Sequence, residues 1–198
     1  MTIHPTLKEL LPSALHEKCR AAVYARGDRI FALGDKPVVM FFVTAGEVVL
    51  ERTALQGDPV VLQRTRNGFV AEASLYSKAY HCDGVATIPA EAVLIPVEAI
   101  RSAMVTDANF AMRWIQMLNR ELLRLRLQCE RLALSKLQDR VRHLIETEGQ
   151  EGRYELVADL KSLAKQLGVS HEALYRCLST MERNNALRRE SGSISLVL

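Results

Sequence analysis

Twelve residues, LGVSHEALYRCL from Leu167 to Leu178, constrain this chain more than any other stretch. A short helix is predicted from Asp159 to Leu167, with Leu160, Leu163, Ala164 and Leu167 spaced to face inward. It runs into Gly168, a residue free to take the positive φ of a tight turn. Ser170 stands where an N-cap belongs, and a second helix starts at His171 with Leu174, Leu178 and Met181 on one face. Helix, glycine-bearing turn and capped helix make a helix-turn-helix, whose second member lies in the major groove of double-stranded DNA. Two short apolar runs with basic neighbours follow, Ala186–Arg189 and Ile194–Val197, joined by Ser191-Gly192-Ser193. They read as a β-hairpin wing.

A length of 198 residues suits two small domains, each with its own core. From about Tyr24 to Pro96 the pattern is that of short strands: Arg29–Leu33, Val38–Val43, Glu47–Glu51, Val60–Leu62, Val85–Ile88 and Ala92–Ile95. Gly27-Asp28, Gly34-Asp35, Gly46, Gly57-Asp58, Asn67-Gly68 and Asp83-Gly84 punctuate them, which suits an antiparallel sandwich or barrel. Ahead of it, Leu7–Leu11 and Ala14–Val23 read as helical, broken at Pro12. From Asp107 the period changes. Ala111, Ile115, Leu118, Leu122, Leu125, Cys129 and Leu132 alternate steps of four and three, an a/d seam sustained over three heptads. So narrow a stripe predicts a parallel two-helix dimer through Ile115, Leu118, Leu122, Leu125, Cys129 and Leu132; the alternative is a helix packed on its own domain. The seam ends near Ala133–Lys136, and a new helix carries Leu137, Val141, Leu144 and Ile145 on one side. Gly149 and Gly152 end that helix before a strand at Tyr154–Val157. The predicted organisation is 1–106, a sheet domain; 107–135, a dimerisation helix; and 136–198, a winged helix-turn-helix.

Composition narrows the function. The net charge is only +3, so nucleic-acid binding rests on the local motif and not on bulk charge. No apolar run reaches the roughly 18 residues of a membrane span, and no basic-then-apolar leader opens the chain. Cys19, Cys82, Cys129 and Cys177 are scattered without CxxC spacing, which predicts free thiols in a reducing cytoplasm and no zinc or iron–sulfur site. No nucleophile–base pair or Gly-rich nucleotide loop stands out, and His81 is the one histidine between Tyr24 and Pro96. A catalytic or metal site is therefore not expected.

Sheet domain, long helix and winged helix-turn-helix, in this order, resemble the cyclic-AMP receptor protein / FNR family of bacterial transcription regulators. The resemblance covers nearly the whole chain. It is carried by Gly27 in YARGDRIF, Gly34-Asp35, VTAGEVVL with Gly46, GFVAEASLY at Gly68–Tyr76, LAKQLGVSHEALYR and MERNNALRR. It implies an α+β fold: an N-terminal cyclic-nucleotide-binding-type β jelly roll, a long dimerisation helix and a C-terminal winged helix-turn-helix. It also implies a homodimer that binds a palindromic operator, activation through RNA polymerase, and an effector pocket between the roll and the helix.

Within the resemblance, His171, Glu172 and Arg176 take the base-reading positions. The chemistry agrees: a glutamate accepts from cytosine N4, and an arginine donates twice to guanine O6 and N7. A simple i,i+4 salt bridge between Glu172 and Arg176 is the plainer alternative. Lys161, Ser170, Tyr175, Arg188 and Arg189 are placed for phosphates, with Tyr175 equally suited to covering the helix. The resemblance puts the effector pocket at Gly68, Glu72, Ala73, Cys82, Asp83 and Leu125. Members that bind cyclic AMP carry Gly-Glu and then Arg-Ser, which neutralise and hold the cyclic phosphate and ribose. Here Glu72 is kept, Ala71 replaces the glycine, and Cys82-Asp83 replace the arginine and serine. A carboxylate repels a phosphate, so cyclic AMP is not expected to bind in the usual way, and the sequence specifies no other cofactor. A cyclic-nucleotide or small-molecule sensor module acting through protein partners is the alternative, but it leaves the helix-turn-helix without a role.

Overall fold

The computed structural model describes residues 4–53, 59–156 and 159–197; the expected turn at Gly57-Asp58 and the strand end at Val157 lie outside them. The chain forms two compact units, Met1–Gln116 and Met117–Leu198.

The first unit opens with helices α1 (Pro5–Leu10) and α2 (Ser13–His16), followed by β1 (Arg20–Tyr24), β2 (Arg29–Phe31) and β3 (Val39–Thr53). Then come β4 (Pro59–Thr65), β5 (Gly68–Val70), a 3-10 turn at Glu72–Ser74, β6 (Asp83–Pro96) and α3 (Val97–Thr106). The strands make a jelly-roll-like antiparallel sheet in the order β1-β6-β3-β4, with β2 pairing on β6 and β5 on β3. The runs on either side of Gly46 are one strand, β3, which pairs with β6 from Val39 opposite Pro96 to Glu51 opposite Asp83. Gly46 is not a break but a bulge, with φ of 78°. A Cβ there would lie 2.0 Å from the Pro89 carbonyl oxygen, so only glycine admits this approach of the two strands. The helix expected over Ala14–Val23 is confined to α2, and Arg20–Tyr24 is a strand instead. Pairing decides this: Arg20 to Tyr24 lie opposite Leu94 to Ala90 of β6, and that ladder overrides local helix propensity.

The roll's interior is packed by Phe31, Phe41, Val43, Val48, Leu50, Val70, Tyr80, Cys82 and Ala86. Phe31 and Tyr80 stack with ring centroids 4.0 Å apart. Gly84 makes room for the Phe31 ring, whose Cε1 would be 2.6 Å from any Cβ placed there.

The long helix α4 (Ala108–Ala133) carries two stripes. Phe110 and Trp114, one turn apart, are buried, and Trp114 packs edge-on against Phe69 of the sheet. Arg113 donates to the Leu10 carbonyl at 3.0 Å, tying the same turns to α1. The heptad seam is a separate stripe: Ile115, Leu122, Leu125 and Leu132 remain 39–49% exposed and Cys129 is exposed, with Leu118 half-buried. Packing on the helix's own domain therefore uses Phe110 and Trp114 and leaves the seam uncovered.

The second unit continues with α5 (Leu137–Glu148), β7 (Arg153–Glu155), α6 (Leu160–Gln166), α7 (His171–Arg183), β8 (Leu187–Glu190) and β9 (Ser193–Leu196). Val141, Leu144, Ile145, Leu163, Leu167, Leu174, Leu178, Met181 and Ile194 form its core. The three strands pair as β7-β9-β8. Arg131, near the end of α4, is fully buried and reaches the last turn of α5, donating to Glu148 at 2.5 Å and to the Thr147 hydroxyl at 3.2 Å.

Candidate nucleic-acid interface

The local signals of the C-terminal sequence become geometry. Asp159 caps α6 by accepting from the Ser162 N–H, and Leu163, Ala164 and Leu167 point into the core. Gly168 takes φ of 69°, the left-handed turn that glycine accommodates without strain. Ser170 then caps α7, its oxygen accepting from the Ala173 N–H at 3.1 Å. With Leu174, Leu178 and Met181 inside, the opposite side of α7 faces outward, and there His171, Glu172, Tyr175 and Arg176 are all exposed. Glu172 and Arg176 form no close ion pair among the described residues, though the Arg176 charge still acts on the carboxylate. Hydrogen bonding to its own N–H and to the Ser170 hydroxyl holds the Glu172 carboxyl below its ordinary range, with His171 and Arg176 adding to the effect. Glu172 is thus an anionic acceptor at neutral pH, and Arg176 a forked donor one turn away.

Lys161, Ser170 and Arg188 are exposed as well. Arg189 is different. Its side chain is held inside the domain by Glu182, the backbone N–H and Nε donating to the carboxylate at 3.1 and 2.7 Å. Its guanidinium also lies 5.1 Å from the centre of the Tyr175 ring. Sequence reasoning missed Lys136, Gln138 and Thr180. These line a shallow recess of about 550 Å³ together with Leu137, Arg176 and Cys177. The spacing of Thr180, four residues beyond Arg176 on one helix face, was the readable signal. No side chain caps α5, which begins at this recess.

In the first unit the residues expected at the effector pocket fall on several elements, with Ala71 and Cys82 in the same buried cluster. Gly68 starts β5 opposite Val43, Glu72 is in the 3-10 turn, and Ala73 is exposed. Ala71 takes the left-handed conformation, φ 64° and ψ 26°, that a glycine would hold freely. Cys82 is 1% exposed in the aromatic core, and burial, with Asp83 beside it, pushes its thiol above the ordinary value. It is a packing group and not a reactive thiolate. Asp83 accepts from the Leu33 N–H at 3.0 Å, which employs its carboxylate within the fold. Leu125 lies on the exposed seam of α4 in the second unit. Among the described residues no cluster of metal-ligating side chains occurs, and no helix is long and apolar enough to cross a membrane.

Residues 22–107 match the family model of the cyclic nucleotide-binding domain. Three solved structures share the fold over almost the full chain. FixK2 from Bradyrhizobium japonicum is 17% identical, with a TM-score of 0.67 over 90% of this chain and 92% of that one. A CooA mutant from Carboxydothermus hydrogenoformans is 15% identical, with a TM-score of 0.73 over 98% and 90%. The c-di-GMP-responsive regulator CLP from Xanthomonas campestris is 20% identical, with a TM-score of 0.63 over 92% and 95%. A search of curated proteins finds no match.

Proposed function

We propose that this chain, whose residues 22–107 match the cyclic nucleotide-binding domain and whose fold is shared with FixK2 and CooA, is a homodimeric DNA-binding transcription regulator that reads a palindromic operator. The observation that carries the proposal is the outward stripe of α7: His171, Glu172 and Arg176 stand exposed on a capped helix, free of mutual ion pairing. In the major groove, Arg176 donates to guanine O6 and N7, Glu172 accepts from cytosine N4, and His171 reaches a neighbouring base or phosphate. Lys161, Ser170 and Arg188 hold the backbone, and the recess at Lys136 and Thr180 adds a polar rim beside Arg176.

Two copies pair along the uncovered seam of α4, which supports two reading helices set one DNA turn, about 34 Å, apart. Binding takes place in the cytoplasm, with activation through RNA polymerase as the mode of action. Cyclic AMP is not the signal in its usual pose: Cys82 packs in the roll's apolar core beside the Phe31–Tyr80 stack, and Asp83 places a carboxylate, paired with Arg29 at 3.8 Å, where a phosphate would need a cation.

Selection of duplexes from a random pool, followed by mobility-shift titration, tests the reading. Arg176→Ala is expected to lose about 1–3 kcal/mol of discrimination at one base pair. Lys161→Ala weakens cognate and scrambled sites alike and lowers the salt slope by about one. Failure to select any duplex, or a strictly monomeric chain at micromolar concentration, overturns the proposal. Tight calorimetric binding of cyclic AMP overturns its sensor half.

A further inference from the structure

Arg189 of the wing is engaged by α7 and not left free in solvent. His171, Tyr175, Ser179 and Glu182 lie along one stripe of α7, at steps of four, four and three. Arg189 of β8 lies along that stripe. Its backbone N–H and Nε donate to the two carboxylate oxygens of Glu182 at 3.1 and 2.7 Å, and Nη2 pairs with the same carboxylate. Nη2 also contacts the Ser179 hydroxyl at 3.4 Å, and the guanidinium sits over the Tyr175 ring at 5.1 Å. Both side chains of the ion pair are about three-quarters covered, at 25% and 29% exposure. Arg188, its neighbour, is exposed on the other side of the strand.

We infer that Arg189 is a positioning residue: it locks the wing to the recognition helix and sets the rotation of α7, so that Glu172 and Arg176 on the adjacent stripe face the bases. The inference rests on the DNA-binding reading above. A helix turned by one residue's 100° would present a different stripe to the groove, so a fixed rotation is a condition of base discrimination. Tyr175 is part of the lock. Its ring, 52% exposed, is held under the guanidinium by a cation–π contact, and the His171 ring lies 6.5 Å away, next along the stripe.

Charge and geometry separate this role from phosphate contact. A phosphate accepts lysine as a point charge, whereas a bidentate, ring-stacked clamp requires the planar fork of arginine. The test compares Arg189→Lys and Arg189→Ala on the selected site and on a scrambled site, across a salt series, with circular dichroism reporting the fold. A clamp predicts that both variants lose about tenfold in the cognate-to-scrambled ratio while the salt slope is unchanged. Amide exchange of Leu187–Glu190 in the DNA-free protein is faster in both. The double variant Glu182→Gln/Arg189→Ala is no worse than Arg189→Ala alone. Restoration by lysine, with a slope about one lower only in Arg189→Ala, overturns the inference and leaves the DNA reading standing. A wild-type chain that selects no duplex overturns both.

Discussion

The pair under the last turn of α5 makes an asymmetric prediction. Arg131 is fully buried, while Glu148 retains 25% of its side-chain exposure. Of the guanidinium's donors, Nη2 serves Glu148 and Thr147, while Nε and Nη1 have no acceptor among the described residues. Glu148→Ala leaves that cation buried and uncompensated, which costs about 3–5 kcal/mol in comparable pairs. Arg131→Met removes the buried charge and its idle donors together, while Glu148 turns to water at the helix end. Lost pairing and regained solvation then nearly offset, and the net change is about 1 kcal/mol or less. The order is therefore glutamate removal well above arginine removal, by about 2 kcal/mol or more. The two compact units need not unfold together, so urea titration of the full chain is followed by amide exchange at Val141–Ile145, in the C-terminal core. If Arg131→Met proves as costly as Glu148→Ala, the guanidinium is a net asset and the reasoning from burial fails.

Leu122→Glu puts a charge in the uncovered seam. Losing about 1.5 kcal/mol of leucine burial per protomer is expected to weaken the proposed dimer roughly a hundredfold, which sedimentation equilibrium measures. Glu47 accepts from Arg64, Arg66 and Thr87 at 2.8, 2.9 and 2.5 Å. Burial raises its carboxyl, but the Thr87 and Arg66 hydrogen bonds and the two arginine charges outweigh this and hold it below the ordinary 4.5. Its stabilising contribution is therefore complete above about pH 4.5 and is lost as pH falls through the lower folded value, so Glu47→Gln flattens the acid limb of a stability–pH curve. Gly46→Ala combines a positive φ with a clash on the Pro89 carbonyl and costs at least about 2 kcal/mol by thermal denaturation; a change within 0.5 kcal/mol, the size typical of a neutral surface substitution, counts against the bulge geometry.

The C-terminal unit was legible because its determinants are local. The Gly168 turn, the Ser170 cap and the period of Leu174, Leu178 and Met181 each lie within a few residues of what they specify. The sheet domain was legible as a class, but not strand by strand. Arg20–Tyr24 owes its state to β6, some seventy residues away in the chain, and no propensity of its own announces that. Gly46 and the Ile88–Ala92 segment looked like breaks because a bulge and a turn share glycine and proline chemistry; the ladder runs through both. On α4 the seam stood out, but Phe110 and Trp114 passed unnoticed because two aromatics one turn apart make too short a pattern to separate from chance. Adjacent arginines in the wing read as equals, and only the fold distinguishes Arg188, in solvent, from Arg189, engaged with Glu182. At the expected effector pocket, the departures at 71, 82 and 83 were visible in the sequence, whereas the stacking of Phe31 on Tyr80 was not.

Trp114 is the chain's single tryptophan, and it is 2% exposed between Phe69 and Phe110. Nature has thus installed one fluorophore at the root of the long helix. Its emission, excited at the red edge where tyrosine is silent, reports on how those first turns grip the sheet and on no other place. A small molecule that loosens or tightens that grip announces itself optically in the unlabelled protein.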